Sequence, residues 1–307
     1  MPPGHQGAGG GVISRRQLLA LIGLTLMWGI NWPMMKLSLR EITPLYFRAI
    51  TMSGGALWLY VFYRARGLRM LPQGAEWRSV VTLGAPNMLG WHMVSILGVR
   101  ELASGRAAIL GFTMPIWTVL IGVLFLGDKL TRRVAFAVAA AAVAIGLLIS
   151  HELTTLSGRP LGIAWMELGA VLWAMGTLMM RRAHLTLPVE TLTVWMMLLS
   201  SLCLWLIAFV MEPWPAWPFS AVLWVTVAYG ALINYGFAQV IWSGLVRKLP
   251  PATSAMSIMA IPLVGTMTAT FIVGEWPHWQ DFVAIAFVMA AIAAVLMPPR
   301  QGKIVHT

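Results

Sequence analysis

The chain has 307 residues, of which 59% are hydrophobic and only 10% charged, against about 25% charged in soluble domains. Its net charge of +11 is carried on short loops between apolar runs, which excludes a nucleic-acid partner and points to a bilayer. A single cysteine, Cys203, in an apolar span excludes a disulfide framework and reads as a buried small residue.

Residues 1–16 open with MPPGHQGAGGG, a Gly- and Pro-rich cytoplasmic tail that reads as disordered. Arg15 and Arg16 resemble a twin-arginine export signal, but no small-residue cleavage site follows, so they read as the inside anchor of the first span. A helix crossing roughly 30 Å of hydrocarbon needs about 20 apolar residues. Ten such runs are predicted, at 17–37, 43–63, 79–99, 103–126, 132–150, 161–181, 188–211, 219–245, 251–274 and 279–297.

The first span places Thr25, Trp28, Asn31 and Trp32 on one face at helical spacing, just before Pro33. This stripe either packs on neighbouring helices or lines a cavity where the proline loosens the backbone. The second opens with Thr43 and Pro44, a cap and an N1 proline, and puts Arg48 roughly 7 Å into the span. Arg48 either snorkels outward or pairs with a carboxylate at the outer mouth. The third carries Gly84, Asn87, Trp91, Ser95 and Gly98 on one face with His92 at its edge; the eighth answers with Ala231, Asn234, Ala238 and Trp242, and with Gln239 at the His92 position. Tight packing through small residues and a cavity lined by the two asparagines both fit.

Pro115 in the fourth span and Pro262 in the ninth predict paired kinks, with hydroxyls from Thr113, Thr118, Ser254, Ser257, Thr266, Thr268 and Thr270 nearby. Interrupted helices at matching places in two halves point to a substrate site near the midplane. The fifth and tenth spans carry small-residue ladders, Ala135 with Ala139 and Ala286 with Ala290 and Ala294, suited to packing within one chain or to a homodimer contact. The sixth holds Glu167, roughly 9 Å below its outer end. A charged carboxylate there costs a few kcal/mol and marks either an ion path or a hydrated vestibule. Trp214, Trp217, Trp276 and Trp279 form the interfacial aromatic belt.

The chain is duplicated. Residues 103–149 recur 147 positions later, pairing Pro115 with Pro262, Gly127 with Gly274, Asp128 with Glu275 and Asn87 with Asn234; an offset of 145 pairs Trp28 with Trp173. Fifteen of the 21 Lys and Arg fall on the side of the termini, which places both ends in the cytoplasm. Five spans per copy is an odd number, so the copies are inverted. The predicted fold is an all-α integral membrane protein of ten transmembrane helices in two inverted five-helix repeats. Its predicted divisions are 1–16 (tail), 17–150 (first repeat), 151–160 (linker), 161–297 (second repeat) and 298–307 (cytoplasmic tail).

No GxxxxGK[ST] loop, HExxH, metal spacing or nucleophile elbow is present, so no cofactor or metal is predicted and a solute is moved rather than reacted. With WGINWPMMK after the first span, Pro44 to Arg48 opening the second, and Pro115 with Gly127-Asp128 echoed by Pro262 with Gly274-Glu275, the chain resembles the EamA-type branch of the drug/metabolite transporter superfamily. That family commonly has Gly-Glu in both places, so Asp128 departs mildly, and Glu167 departs more strongly. The resemblance implies a central cavity between the two bundles, an inner-membrane location and export of small metabolites such as amino acids or drug-like compounds. Trp28, Asn31, Asn87, Trp91, Trp173, Asn234 and Gln239 are the candidate cavity residues. Pro115 and Pro262 are the candidate hinges, and Glu167 and His92 the candidate proton carriers. A non-transporting ligand-binding scaffold or sensor and an uncoupled facilitator remain the alternatives.

Overall fold

The computed structural model describes residues 14–154, 160–246 and 259–296. The candidate hydroxyls Ser254 and Ser257, most of the N-terminal tail, all of the C-terminal tail, half of the linker and the first part of the ninth span lie outside the described residues. The helices are α1 (Arg15–Ser38), α2 (Pro44–Ala65), α3 (Glu76–Glu101), α4 (Ser104–Phe125), α5 (Arg132–Thr154), α6 (Pro160–Arg182), α7 (Val189–Met211), α8 (Ala221–Leu245), α9 (Ile261–Ile272) and α10 (Trp279–Leu296). Seven of them are long and apolar enough to cross a bilayer; α2 has the length, and α9 and α10 are shorter apolar helices. Their outward faces carry Leu124, Phe125, Phe209, Val210 and Phe271, each more than 60% exposed, a surface that suits lipid and not water.

Arg15 and Arg16 form the first turn of α1: Ser14 caps the helix, accepting from the Gln17 N–H at 3.2 Å while the Gln17 side chain accepts from the Ser14 N–H at 2.9 Å. Packing repeats the duplication. Equivalent helices pair across the molecule, α2 against α7 and α5 against α10, while α1 against α8 and α9 mirrors α6 against α3 and α4. Both copies also place a left-handed glycine after the fourth helix of the repeat, Gly127 and Gly274, each at φ 77°, a conformation costly for residues with a Cβ.

The α5–α10 contact within the chain uses mostly other residues than the expected ladders. Ala137, Ala140, Ala141 and Ala144 are buried against Ala284, Ile285, Val288 and Ala291, whereas Ala135, Ala139, Ala286 and Ala290 lie on exposed faces. Of the ladder alanines only Ala294 is partly buried against the core, so the packed seam runs mainly along a different side of both helices. Elsewhere glycine sets the spacing. A Cβ on Gly29 of α1 would lie 2.4 Å from a Val264 methyl of α9, and one on Gly105 of α4 would lie 2.9 Å from the Thr266 Cα.

The face opposite the N-terminus is closed by polar contacts between helix ends. Lys36 Nζ donates to the carbonyls of Val99, Arg100 and Leu102 at 2.7–2.9 Å, capping α3. Glu212 accepts from the Leu45 and Tyr46 N–H groups at the start of α2, and Glu275 from the Ser104 N–H and hydroxyl at the start of α4. Arg106 and Asp281 form a buried ion pair at 2.8 Å between α4 and α10. Glu41 accepts from the Ser220 N–H at 2.7 Å and from its hydroxyl, fixing the start of α8.

The hydrogen bonds from Ser220 hold the Glu41 carboxyl below its ordinary value of 4.5. Its folded value being depressed, the contact is intact at neutral pH and is lost only as pH falls through that lowered value. Amide exchange at the first turn of α8, after correction for intrinsic rates, is therefore expected to accelerate in the native chain only as pH falls below the ordinary carboxylate range. In Glu41→Gln it is expected to be raised at all pH values.

Candidate functional site

Two kinds of backbone interruption face the middle of the bundle. In α4 the regular helix ends at Gly111, turns through Phe112 and Thr113, and restarts at Met114 with Pro115 in its first turn. In α9 it restarts at Ile261, with Ala260 before it and Pro262 in the first turn; Thr113 and Ala260 share nearly the same backbone angles, φ −74° and −80°, both with ψ −11°. The expected kinks are thus breaks, at matching places. α3 and α8 each widen into a π-helical stretch, Ala85–Gly90 and Tyr229–Phe237, with Asn87 in one and Asn234 in the other.

Arg48 sits at the centre of what these interruptions assemble. It lies one turn into α2, yet it neither snorkels nor meets a carboxylate: it is 3% exposed, and its guanidinium donates to the Tyr235 hydroxyl at 3.2 Å and the Ser95 hydroxyl at 3.4 Å. Its Nε has no partner. A guanidinium buried among helices without a carboxylate is costly, so such a residue is retained for a reason. Tyr235 reaches it because α8 presses against α2 at Gly55, where a Cβ would lie 2.3 Å from the Tyr235 Cβ.

Aromatic rings continue the site from Tyr235. The His92 ring stands edge-on to Tyr235 at 5.3 Å, and its Nδ1 is buried without a partner. The neighbouring Trp91 stacks on Trp173 at 4.9 Å with 30° between planes; Phe112, in the break of α4, meets Trp173 at 6.4 Å and Trp32 at 6.5 Å. Gly111 makes this convergence possible, since a Cβ there would lie 2.9 Å from Trp32 and 3.1 Å from Trp91. The centre is therefore one guanidinium above a box of rings from α1, α3, α4 and α6.

Of the residues singled out from sequence, Trp91, Trp173 and His92 lie in this cluster. Trp28 lies against Trp242 at 5.5 Å, among Leu21, Leu24 and Ala238. Asn31 is buried on α1, and Asn234 and Gln239 are partly buried on α8. Asn87 donates to the Leu83 carbonyl of its own helix at 3.2 Å and packs where α6 has Gly176, whose added Cβ would lie 2.4–2.6 Å from the Asn87 amide. Glu167 faces α4, accepting from the Trp117 indole at 2.7 Å, with the Thr113 hydroxyl oxygen 3.1 Å away, beside the break before Pro115. Tyr235 escaped notice because nothing in its local pattern separates it from other apolar positions of α8. Arg48 carried a signal, since the corresponding turn of α7 has no cation.

The sequence pattern of the EamA-like transporter family matches residues 15–150 and again 160–297. The chain belongs to the EamA-like transporter family. It is 25% identical over 288 residues to a protein named "uncharacterized inner membrane transporter YedA" from Escherichia coli (strain K12), covering 92% of each chain. It is 20% identical over 278 residues to "uncharacterized transporter YoaV" from Bacillus subtilis (strain 168), covering 90% of this chain and 92% of the relative. A protein crystal structure with 22% identity shares the fold, with a TM-score of 0.63 over 90% of this chain and 94% of the other. As an EamA-like member of the drug/metabolite type, this protein is a multi-pass membrane transporter that works within a lipid bilayer on a small molecule.

Asn87→Leu is expected to lower the thermal midpoint in detergent, because the added bulk has no room beside Gly176. Gly55→Ala is expected to move Tyr235 away from Arg48 and to lower the midpoint as well. An unchanged midpoint in both variants would mean that these contacts are loose.

Proposed function

We propose that this EamA-like protein is a secondary exporter of small metabolites, such as amino acids or drug-like compounds, working by alternating access of its two inverted repeats. The observation that carries the reading is the matched pair of breaks, before Pro115 in α4 and before Pro262 in α9, beside a buried cluster that both halves build. Helices already interrupted at equivalent points supply hinges at which each half rocks without breaking a continuous hydrogen-bond ladder. Closure of the face opposite the N-terminus by Lys36, Glu212 and Glu275 fits one end state of such a cycle. The basic loops assign the face of the termini to the cytoplasm, and the Escherichia coli relative's printed name supports the inner membrane.

Energy comes from an ion gradient in this reading, and protons are the currency. Glu167 touches α4 at the residues flanking its break, so gaining or losing a proton changes the bonds that hold Thr113 and Trp117. His92, against Tyr235, is the second candidate. Asn87 and Asn234, in matching π-helical stretches, are kept as elements of the moving cavity wall, with Trp28, Asn31 and Gln239 behind them.

In proteoliposomes, Glu167→Gln is expected to retain solute exchange and to lose accumulation driven by a pH gradient by at least tenfold. Accumulation with native pH dependence in that variant would remove Glu167 from coupling. Reporter fusions at the loop between Arg64 and Arg78 are expected to report the cytoplasm; an outward signal there overturns the orientation.

A further inference from the structure

Arg48 brings a full charge into the bundle and finds no opposite charge there. Its two contacts, to the Tyr235 and Ser95 hydroxyls at 3.2 and 3.4 Å, are long and neutral, and its Nε has no partner. A guanidinium has five N–H donors in a planar fork that matches a carboxylate, so most of its capacity is unused. Other acids have partners of their own: Glu212 at α2, Glu41 with Ser220, Glu275 with Ser104, Asp281 with Arg106, and Glu167 with Trp117. Among the described residues, no carboxylate pairs with Arg48.

What surrounds the charge defines the rest of the ligand. Ser95 stands one turn from Trp91 on α3, and His92, with its own unpartnered Nδ1, stands between that tryptophan and Tyr235. One helical turn is roughly 5.4 Å, so an anion held on Arg48 beside Ser95 lies about one turn of α3 from Trp91 and its partner ring Trp173. That separation suits a carboxylate joined to a flat ring directly or through one or two carbons.

We propose that Arg48 anchors the carboxylate of a small aromatic organic acid, and that Trp91 and Trp173 take its ring. The assignment rests on the transporter reading of the same cluster and names its substrate class. The guanidinium fork fixes the acid end, Tyr235 and Ser95 aim the fork, and the rings reject strongly hydrated inorganic anions by offering them no polar partners.

The test is equilibrium binding of radiolabelled benzoate to the purified full chain, with the thermal midpoint as a second readout. Saturable binding and a raised midpoint are expected for the native protein, with no comparable rise from chloride at equal concentration. Arg48→Met is expected to weaken benzoate binding at least tenfold, and Arg48→Lys, which keeps the charge but not the fork, to weaken it by a smaller factor. Should Arg48→Met fail to fold, Arg48→Lys and Trp91→Ala carry the test, each expected to weaken binding. No benzoate binding by the native chain, native affinity in the Arg48 variants, or an equal midpoint rise from chloride overturns the proposal. Benzoate bound without exchange of any solute in vesicles would sink the transporter reading and leave the anion site standing. Solute exchange at native rates in Arg48→Met would do the reverse.

Discussion

A bilayer interior offers no water to a backbone N–H or C=O, so every interruption of a helix must be repaid inside the protein, and the rest of this structure follows from where that happens. The break in α4 shows how. Pro115 has no N–H to give, the chain turns through Phe112 and Thr113, and the Thr113 hydroxyl donates to the Leu110 carbonyl at 2.7 Å while the Ile116 and Trp117 N–H groups return to the Thr113 carbonyl. The segment is almost fully buried, with Gly111, Phe112 and Thr113 all shielded. Irregular backbone is tolerated because protein surrounds it, and a buried irregular segment is also where side chains from several helices meet.

The same requirement governs the helix ends. Four N–H groups at each helix start are orphaned, and three carboxylates on the face opposite the N-terminus answer them at α2, α4 and α8. Each acid comes from a loop distant in sequence, so capping and closure of that face are one set of contacts. These acids are engaged in capping, and among the described residues none of them pairs with Arg48.

The two halves share a plan and differ in chemistry. Breaks, π-helical stretches and left-handed glycines recur at matching positions, which is backbone architecture. Arg48 and Glu167 have no charged counterpart in the other half. The backbone is symmetric while the charge is not: Arg48 belongs to the first repeat and Glu167 to the second, each alone at its matched position.

The fold was legible in the sequence because the bilayer reduces the choices: apolar runs of spanning length must be helices, an odd number of them in each copy must invert, and paired prolines must interrupt their helices. The left-handed Gly127 and Gly274, the matched breaks and the equivalent helix pairings all follow from that duplication. The site was legible only in part. Trp91, Trp173 and His92 carried helical spacing, but the placement of Arg48 depends on how closely α8 approaches α2 at Gly55, and Asn87 depends on the gap left by Gly176. The alanine ladders show the same limit, since the seam inside the chain uses mostly other residues. Spacing along one helix fixes which residues share a face, whereas which face is buried is decided by the neighbour, and that is a property of the packed bundle alone.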